Sequence, residues 1–350
     1  LKTIFKRRAA FFAAIAATIS SLSLLQPAWT QPQSANQPVE PAGVPISDLK
    51  TTGTTFATNV TPIPSSHPKV ALVLGGGGTR GAAHVGVLRA LTRAGVPIDM
   101  IVGTSMGAIV GGLFAAGISV DALQEKFDDG SLMRSFMNVP LTLSIATAPV
   151  LVLPRTLAHN EYDGLYKGNN FRKYLDRTVP EFEHNIENLK IPFIAVALNL
   201  VDGKPWALSR GNLGYALQAS SAVPGLREPV QIGDQLFVDG GVVDNIPVDA
   251  ARAMGADIVI AVDVDERFAA VPLESFKAVG SVAKRLVTLQ LASSDAVQLE
   301  KADFVIHPNV DGIGLISTKV KDASQAIDAG EKAAWAVIPD IKAKFKQLGM

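Results

Sequence analysis

Ser105 lies in the run Gly103-Thr104-Ser105-Met106-Gly107, between an apolar β-branched segment and a stretch of small apolar residues. A serine at a sharp strand-to-helix turn is lifted above the sheet edge with its hydroxyl exposed, the nucleophile-elbow pattern G-x-S-x-G. The helix start behind it favours negative charge on Oγ. The same serine would also serve as a plain helix N-cap. Upstream, Leu74-Gly75-Gly76-Gly77-Gly78-Thr79-Arg80-Gly81 follows one predicted strand and opens a predicted helix. Glycines there let several backbone N–H groups turn toward one point, which makes a nest for an anion. That anion is a dinucleotide pyrophosphate if Gly76, Gly78 and Gly81 are read as G-x-G-x-x-G, or the oxyanion of an acyl-transfer intermediate. A purely structural turn is the third reading. Asp99 stands before the next predicted strand, not at its end, which weighs against the dinucleotide. Far downstream, Asp239-Gly240-Gly241 precedes Val242-Val243-Asp244-Asn245-Ile246-Pro247. Taken alone, its Asp-Gly is a hairpin turn signal.

A serine hydroxyl reacts only with a base in hydrogen-bond reach, usually histidine. Of the five histidines, His67 falls in a polar tether, His84 sits in the helix after the glycine loop, and His159 and His184 have loop-like surroundings. His307 ends the last predicted strand and follows both Ser105 and Asp239, the chain order of an α/β-hydrolase triad. The alternative is a dyad with Asp239 as base, which requires a site that raises carboxylate basicity by desolvation. With no cysteine there is no disulfide, thiolate metal site or thiol nucleophile, and no metal or cofactor is called for.

The elements that must hold these residues follow an α/β alternation from Lys69 onward. Strands are predicted at Val70–Leu74, Met100–Gly103, Phe193–Leu200, Leu236–Val238, Ile258–Val264 and Phe304–Ile306. Helices are predicted at Arg80–Ala94, Ser105–Ala116, Val120–Phe127, Asn170–Arg177, Val248–Met254, Ser275–Leu291 and Ala323–Leu348. The chain of 350 residues is 48% hydrophobic and carries 32 basic and 32 acidic residues. It has the apolar content for a large core, and no net field to attract nucleic acid.

Lys2, Lys6, Arg7 and Arg8 precede the apolar run Ala9–Leu25, which is broken by Pro27. This reads as an export signal over residues 1–30, with a retained anchor as the alternative, so a periplasmic, cell-surface or secreted protein is expected. Residues 31–68 are rich in Pro, Thr, Ser and Asn and read as a disordered linker. Residues 69–350 make the single folded domain. The Pro-interrupted apolar stretch Leu132–Leu157 is either a lid or a buried core segment. In the last helix Lys332, Lys342, Lys344 and Lys346 lie opposite Ile338, Ile341, Phe345 and Leu348, the pattern of a solvated surface helix.

Glycine loop, elbow and Asp-Gly-Gly in this order resemble the patatin-like phospholipase family. The similarity extends to Gly164–Leu175 (GLYKGNNFRKYL), Ile191–Val201 (IPFIAVALNLV), Ala219-Ser220-Ser221-Ala222-Val223-Pro224, Val238–Pro247 (VDGGVVDNIP) and Gly255–Val264 (GADIVIAVDV). It covers Lys69 to the C-terminus and is closer to bacterial, neuropathy-target-esterase-type members than to plant storage patatins. The resemblance implies a three-layer fold with a mostly parallel central sheet flanked by helices. It also implies a calcium-independent lipid acyl hydrolase with a Ser105–Asp239 dyad, favouring Asp239 over His307. The expected substrate is a lipid or lysolipid, met through transient contact with a membrane surface. On this reading the backbone N–H groups of Gly76, Gly77 and Gly78 hold the oxyanion, with Met106 N–H as a further donor and Arg80 at the edge, where it is equally read as a structural clamp or a contact to a substrate phosphate. Gly81, Gly103, Gly107, Gly240, Gly241 and Asn245 support the motifs, Asn245 together with Pro247 shaping the turn that aims Asp239. One departure concerns the acyl groove: where members place an aromatic residue and a proline, this chain has Leu226-Arg227-Glu228-Pro229. The competing functions are a lipid-binding module without turnover and a triad esterase using His307.

Overall fold

Uninterrupted β-branched strands need burial on both faces, and the central strands meet that condition. The computed structural model describes residues 40–49, 67–136, 162, 164, 166–265, 271–277, 281–282, 285 and 294–350. The leader, His159 and residues 137–157 of the apolar stretch lie outside the described residues. Strands β1 (Ala42–Pro45), β2 (Val70–Leu74), β3 (Met100–Thr104), β4 (Phe193–Asn199), β5 (Pro205–Arg210), β6 (Val230–Ile232), β7 (Gln235–Asp239), β8 (Ile258–Val262) and β9 (Phe304–Ile306) form one sheet. Its main path runs β1-β5-β4-β3-β2-β8-β9, with β7 paired to β4 and β6 to β7. The run β4-β3-β2-β8-β9 is parallel, and β5, β1, β7 and β6 extend it by antiparallel pairing.

The described helices are α1 (Ala83–Arg93), α2 (Met106–Ala115), α3 (Val120–Asp128), α4 (Ser131–Phe136), α5 (Asn169–Thr178), α6 (Leu213–Ser220), α7 (Val248–Ala253) and α8 (Val320–Gln347). They cover both faces of the sheet. Alternate strand residues go to opposite sides: Val70, Leu72, Leu74 and Ile101 pack with α1, α2 and α8, while Ala71, Val73, Val102 and Ile194 pack with α7. The helix carrying the glycine loop at its start, α1, is pinned along α8. A Cβ at Gly86 or Gly330 would overlap a carbonyl of the facing helix, and Glu331 pairs with both Arg89 and Arg93. On α8, Ile338, Ile341 and Phe345 are buried and the lysines exposed, as the pattern of that helix predicts, whereas Leu348, expected on the same apolar face, lies just past the helix end and is exposed.

The linker expectation needs correction over residues 40–49. Ala42–Pro45 pairs antiparallel with β5, the following residues Ile46–Asp48 make a 3-10 turn, and Leu49 is buried against the α7 side of the core. An edge strand pairs on one side only and needs few large apolar side chains, so Pro-rich composition concealed it. The expected helix from Arg80 starts instead as a 3-10 turn, Gly78–Ala82, before α1. Strands β1, β5 and β6 and helices α4 and α6 were not expected. The expected helix Ser275–Leu291 falls largely outside the described residues, and its beginning is the 3-10 turn Leu273–Lys277.

Candidate active site

The position of the site follows from strand register. Along one edge of β4, β3 pairs in parallel with Phe193–Val196, its last residue Thr104 opposite Val196. The other edge is taken by β5 through Ala195–Leu198. Antiparallel β7, paired with Ala197–Asn199, therefore occupies the β3 edge beyond the point where β3 stops, and Asp239 stands opposite Ala197. Two strands running toward each other thus end nose to nose, one delivering Ser105 and the other Asp239.

Ser105 has φ 53° and ψ −121°, and it is the only described non-glycine residue with positive φ. Such a conformation costs about 1–3 kcal/mol and persists only where its surroundings enforce it. Here the enforcement is close packing. A Cβ at Gly107 would overlap the Leu74 carbonyl, and one at Gly103 would stand 2.6 Å from Ala108 Cα. The Ser105 N–H donates to Ser220 Oγ at 3.0 Å, and Ser220 Oγ donates to the Val196 carbonyl at 2.6 Å, tying the elbow to β4. This role of Ser220 was not read from the sequence, where only its place in a resembling segment marked it.

Ser105 Oγ donates to Asp239 Oδ2 at 2.6 Å, and both side chains are buried. Asp239 Oδ1 accepts the Gly241 N–H at 2.8 Å, and its own N–H donates to the Ala222 carbonyl. Burial pushes the Asp239 carboxyl up to about 6, against the opposing pull of its hydrogen bonds from Ser105 and Gly241. Gly240 packs so tightly on β4 that a Cβ would come 2.5 Å from the Val196 carbonyl oxygen. The Asp-Gly-Gly run is a 3-10 turn closing β7, not a hairpin tip.

Among the described residues no histidine joins the pair. His307 Nδ1 meets Asp263 Oδ2 at 2.9 Å, so the chain-order argument for a triad has no geometric counterpart. His84 Nε2–H donates to the Gly75 carbonyl at 2.8 Å, and complete burial holds its imidazole down to about 4 and hence neutral. His184 bonds the Val179 carbonyl.

The glycine loop meets the elbow from β2. Its donors divide differently from the expectation. Gly76 N–H is taken, donating to Asn245 Oδ1 at 3.0 Å, which removes it from the oxyanion donors. Among the described residues the N–H groups of Gly77, Gly78 and Met106 donate to no protein acceptor, and all three residues line the cavity above Ser105. Gly78 has φ +55°, and a Cβ there would overlap the Leu315 carbonyl. Gly81 lies against Met106, whose Cγ would be 2.5 Å from an added Cβ. Of the roles expected for Arg80 the geometry fits the structural clamp: its Nε donates to the Ile313 carbonyl at 2.6 Å, and it does not line the cavity. Thr79 exchanges two hydrogen bonds with Ser317. The loop around residues 313–317 thereby fixes the glycine turn.

The cavity holds about 610 Å³. Its wall is mainly apolar, with Met106, Ile109, Met133, Phe136, Val223 and Leu226, and Ser105, Asp239, Asn245 and Asp265 as its polar side chains among the described residues. The Leu226–Pro229 departure is accounted for here. Leu226 lines the cavity, while Arg227 turns inward between the rings of Phe136 and Phe171, its Cζ 4.1 Å and 4.5 Å from their centroids. Its Nη2 donates to the Phe136 carbonyl at 2.6 Å, and burial lowers the guanidinium to about 9, still cationic at neutral pH. A buried cation stacked between two rings thus backs the wall at this point.

By layers and topology, with a strained serine above the carboxyl ends of parallel strands, this is a three-layer α/β protein of the nucleophile-elbow kind. The chain belongs to the patatin-like phospholipase family, whose model matches residues 72–252. An NTE family protein of Mycobacterium tuberculosis is 33% identical over 302 residues, covering 78% of this chain and 47% of that protein. Patatin-like phospholipase domain-containing protein 7 of Mus musculus is 35% identical over 203 residues, 57% of this chain and 14% of that protein. The chain therefore spans about half the length of the mycobacterial relative and a small part of the mouse one. The crystal structure of VipD from Legionella pneumophila aligns with a TM-score of 0.45 at 16% identity, covering 79% of this chain and 67% of that one.

Proposed function

We propose that the protein is a lipid acyl hydrolase, a serine esterase of phospholipase A or lysophospholipase type. The observation that carries this reading is the 2.6 Å hydrogen bond from Ser105 Oγ to a buried Asp239 at the floor of an apolar cavity. Ser105 Oγ attacks the ester carbonyl as Asp239 takes its proton, giving a tetrahedral oxyanion. The intermediate collapses to an acyl-enzyme while Asp239 passes the proton to the leaving alcohol. Water, deprotonated by the same carboxylate, then releases the fatty acid and restores Ser105. A carboxyl raised to about 6 is ionised at neutral pH yet more basic than an exposed aspartate. The N–H groups of Gly77, Gly78 and Met106, cavity-lining residues whose N–H groups donate to no acceptor among the described residues, serve as oxyanion donors, each such donor being worth about 3 kcal/mol of barrier.

The wall favours an acyl chain over a polar ligand. At the mouth Val242, Leu315 and Ile316 are each more than 40% exposed, a rim suited to drawing a lipid from a membrane surface. The test is labelling with a fluorophosphonate probe followed by product analysis on a mixed lipid extract. Labelled wild type that releases fatty acid, beside an unlabelled and inactive Ser105→Ala, is the expected result. Absence of labelling in the wild type, or equal labelling of Ser105→Ala, removes the hydrolase reading.

A further inference from the structure

Asn245 is buried in the cavity wall against the glycine loop, with both ends of its amide committed. Its Oδ1 accepts the Gly76 N–H at 3.0 Å, while Nδ2 donates to Asp265 Oδ2 at 3.1 Å and Asp295 Oδ2 at 3.4 Å. A half turn of the amide would exchange acceptor for donor. Its NH2 would then oppose the Gly76 N–H, and its oxygen would oppose two carboxyl groups. The carboxyls thus decide which end of Asn245 faces the loop.

Asp265 stands on the cavity wall and Asp295 is buried beneath, within hydrogen-bonding reach of each other. Burial raises both carboxyls, with repulsion from Asp263 adding to the shift of Asp265 and repulsion from Asp265 to that of Asp295, while the hydrogen bond from Asp295 pulls Asp265 back down, so the pair holds a proton between them in preference to two full charges. The Asp265 N–H donates to Asp263 Oδ1 at 2.9 Å, and Asp263 in turn meets His307. Segments after β2, β7 and β8 and helical residues 294–299 therefore converge on one side-chain amide. Neither Asp265 nor Asp295 hydrogen-bonds Ser105, whose hydroxyl is committed to Asp239.

We propose that Asp265 and Asp295 are positioning residues: acting through Asn245, they keep the Gly76 N–H engaged with the Asn245 oxygen and so fix the glycine turn, which leaves the Gly77 and Gly78 N–H groups for the developing oxyanion. This rests on the acyl-hydrolase reading above. The apolar wall that binds the acyl chain does not depend on the clamp. Its loss therefore lowers kcat and leaves KM nearly unchanged, the signature of an interaction made in the transition state.

The experiment uses the full chain, with hydrolysis of a short-chain nitrophenyl ester and affinity for an alkyl trifluoromethyl ketone, which adds to a serine as a tetrahedral analogue. Asp295→Ala is expected to lower kcat by roughly 10- to 100-fold with KM within about threefold, and to weaken the ketone by the same factor as kcat. Asp295→Asn, isosteric with the protonated acid, recovers most of both. If Asp295→Ala does not fold, Asp265→Ala at the cavity wall supplies the same two readings. Unchanged kcat, or lowered kcat with undiminished ketone affinity, overturns the positioning role. A wild type that neither cleaves the ester nor binds the ketone overturns the hydrolase reading and this inference with it, so the two failures are told apart.

Discussion

Thr104 and Asp239 stand opposite neighbouring residues of β4, Val196 and Ala197, although they arrive on strands of opposite direction. The meeting of Ser105 with Asp239 is thus set by main-chain pairing, which a side-chain substitution leaves in place. Mutagenesis at either residue can therefore be read as chemistry.

If Asp239 is the base, kcat/KM climbs through an acid limb centred near pH 6 and is flat above it, because the carboxyl must be ionised to accept the Ser105 proton. Asp239→Asn abolishes that limb and lowers turnover by roughly 10²–10⁴-fold. Removing a buried carboxylate also makes this variant melt no lower than wild type at pH 8. A pH–rate profile beside a thermal melt checks both; an unaltered acid limb in Asp239→Asn would reject the assignment.

The imidazole of His307 is engaged with Asp263, away from the serine. Replacement by Asn is expected to leave ester turnover within about fivefold of wild type, well short of the loss typical of a general base. Steady-state kinetics of the two variants side by side decides between dyad and triad, since a collapse confined to the histidine variant reverses the roles.

Gly107→Ala places a methyl group on the Leu74 carbonyl and must push α2 off β2. Overpacking of this kind costs about 1–3 kcal/mol and occasionally more, and here it falls on backbone, which yields least. Denaturant unfolding should show a lowered midpoint and a loss of serine labelling. A variant with wild-type midpoint and labelling would mean the elbow is looser than described.

Asp244 is buried, its Oδ1 has no partner among the described residues, and desolvation pushes its carboxyl up to about 7, with Asp249 adding to the shift and Lys301 opposing it. A carboxyl whose folded pKa exceeds its unfolded one weakens the fold as pH rises from about 4 toward 7, and the loss persists above. Asp244→Asn should therefore raise the melting temperature by a few degrees at pH 8, with the gain shrinking toward pH 5. An equal gain at both pH values would point to a cause other than ionisation.

The legible parts of the molecule were those with strong local signals. Strands β2, β3 and β8 are continuous apolar runs because helices cover both their faces, and Ser105 and Asp239 are flanked by glycines that close backbone contacts require. Strand β5 (PWALSR) mixes polar and apolar residues because it lies near the sheet edge, and β6 is three residues long. The division of labour in the glycine loop had no local signal. Gly76 is committed to a side chain 169 residues away and Arg80 to a carbonyl 233 residues away, so their neighbours in sequence could not reveal it.

Among the described residues strand β1 alone covers the outer edge of β5. A recombinant version trimmed to begin at Lys69 would leave that ribbon with a bare row of peptide groups, an open template on which a second molecule can add. Sticky, self-associating material from such a trimmed version would be a consequence of where the cut was made, and would say nothing against the chemistry at Ser105.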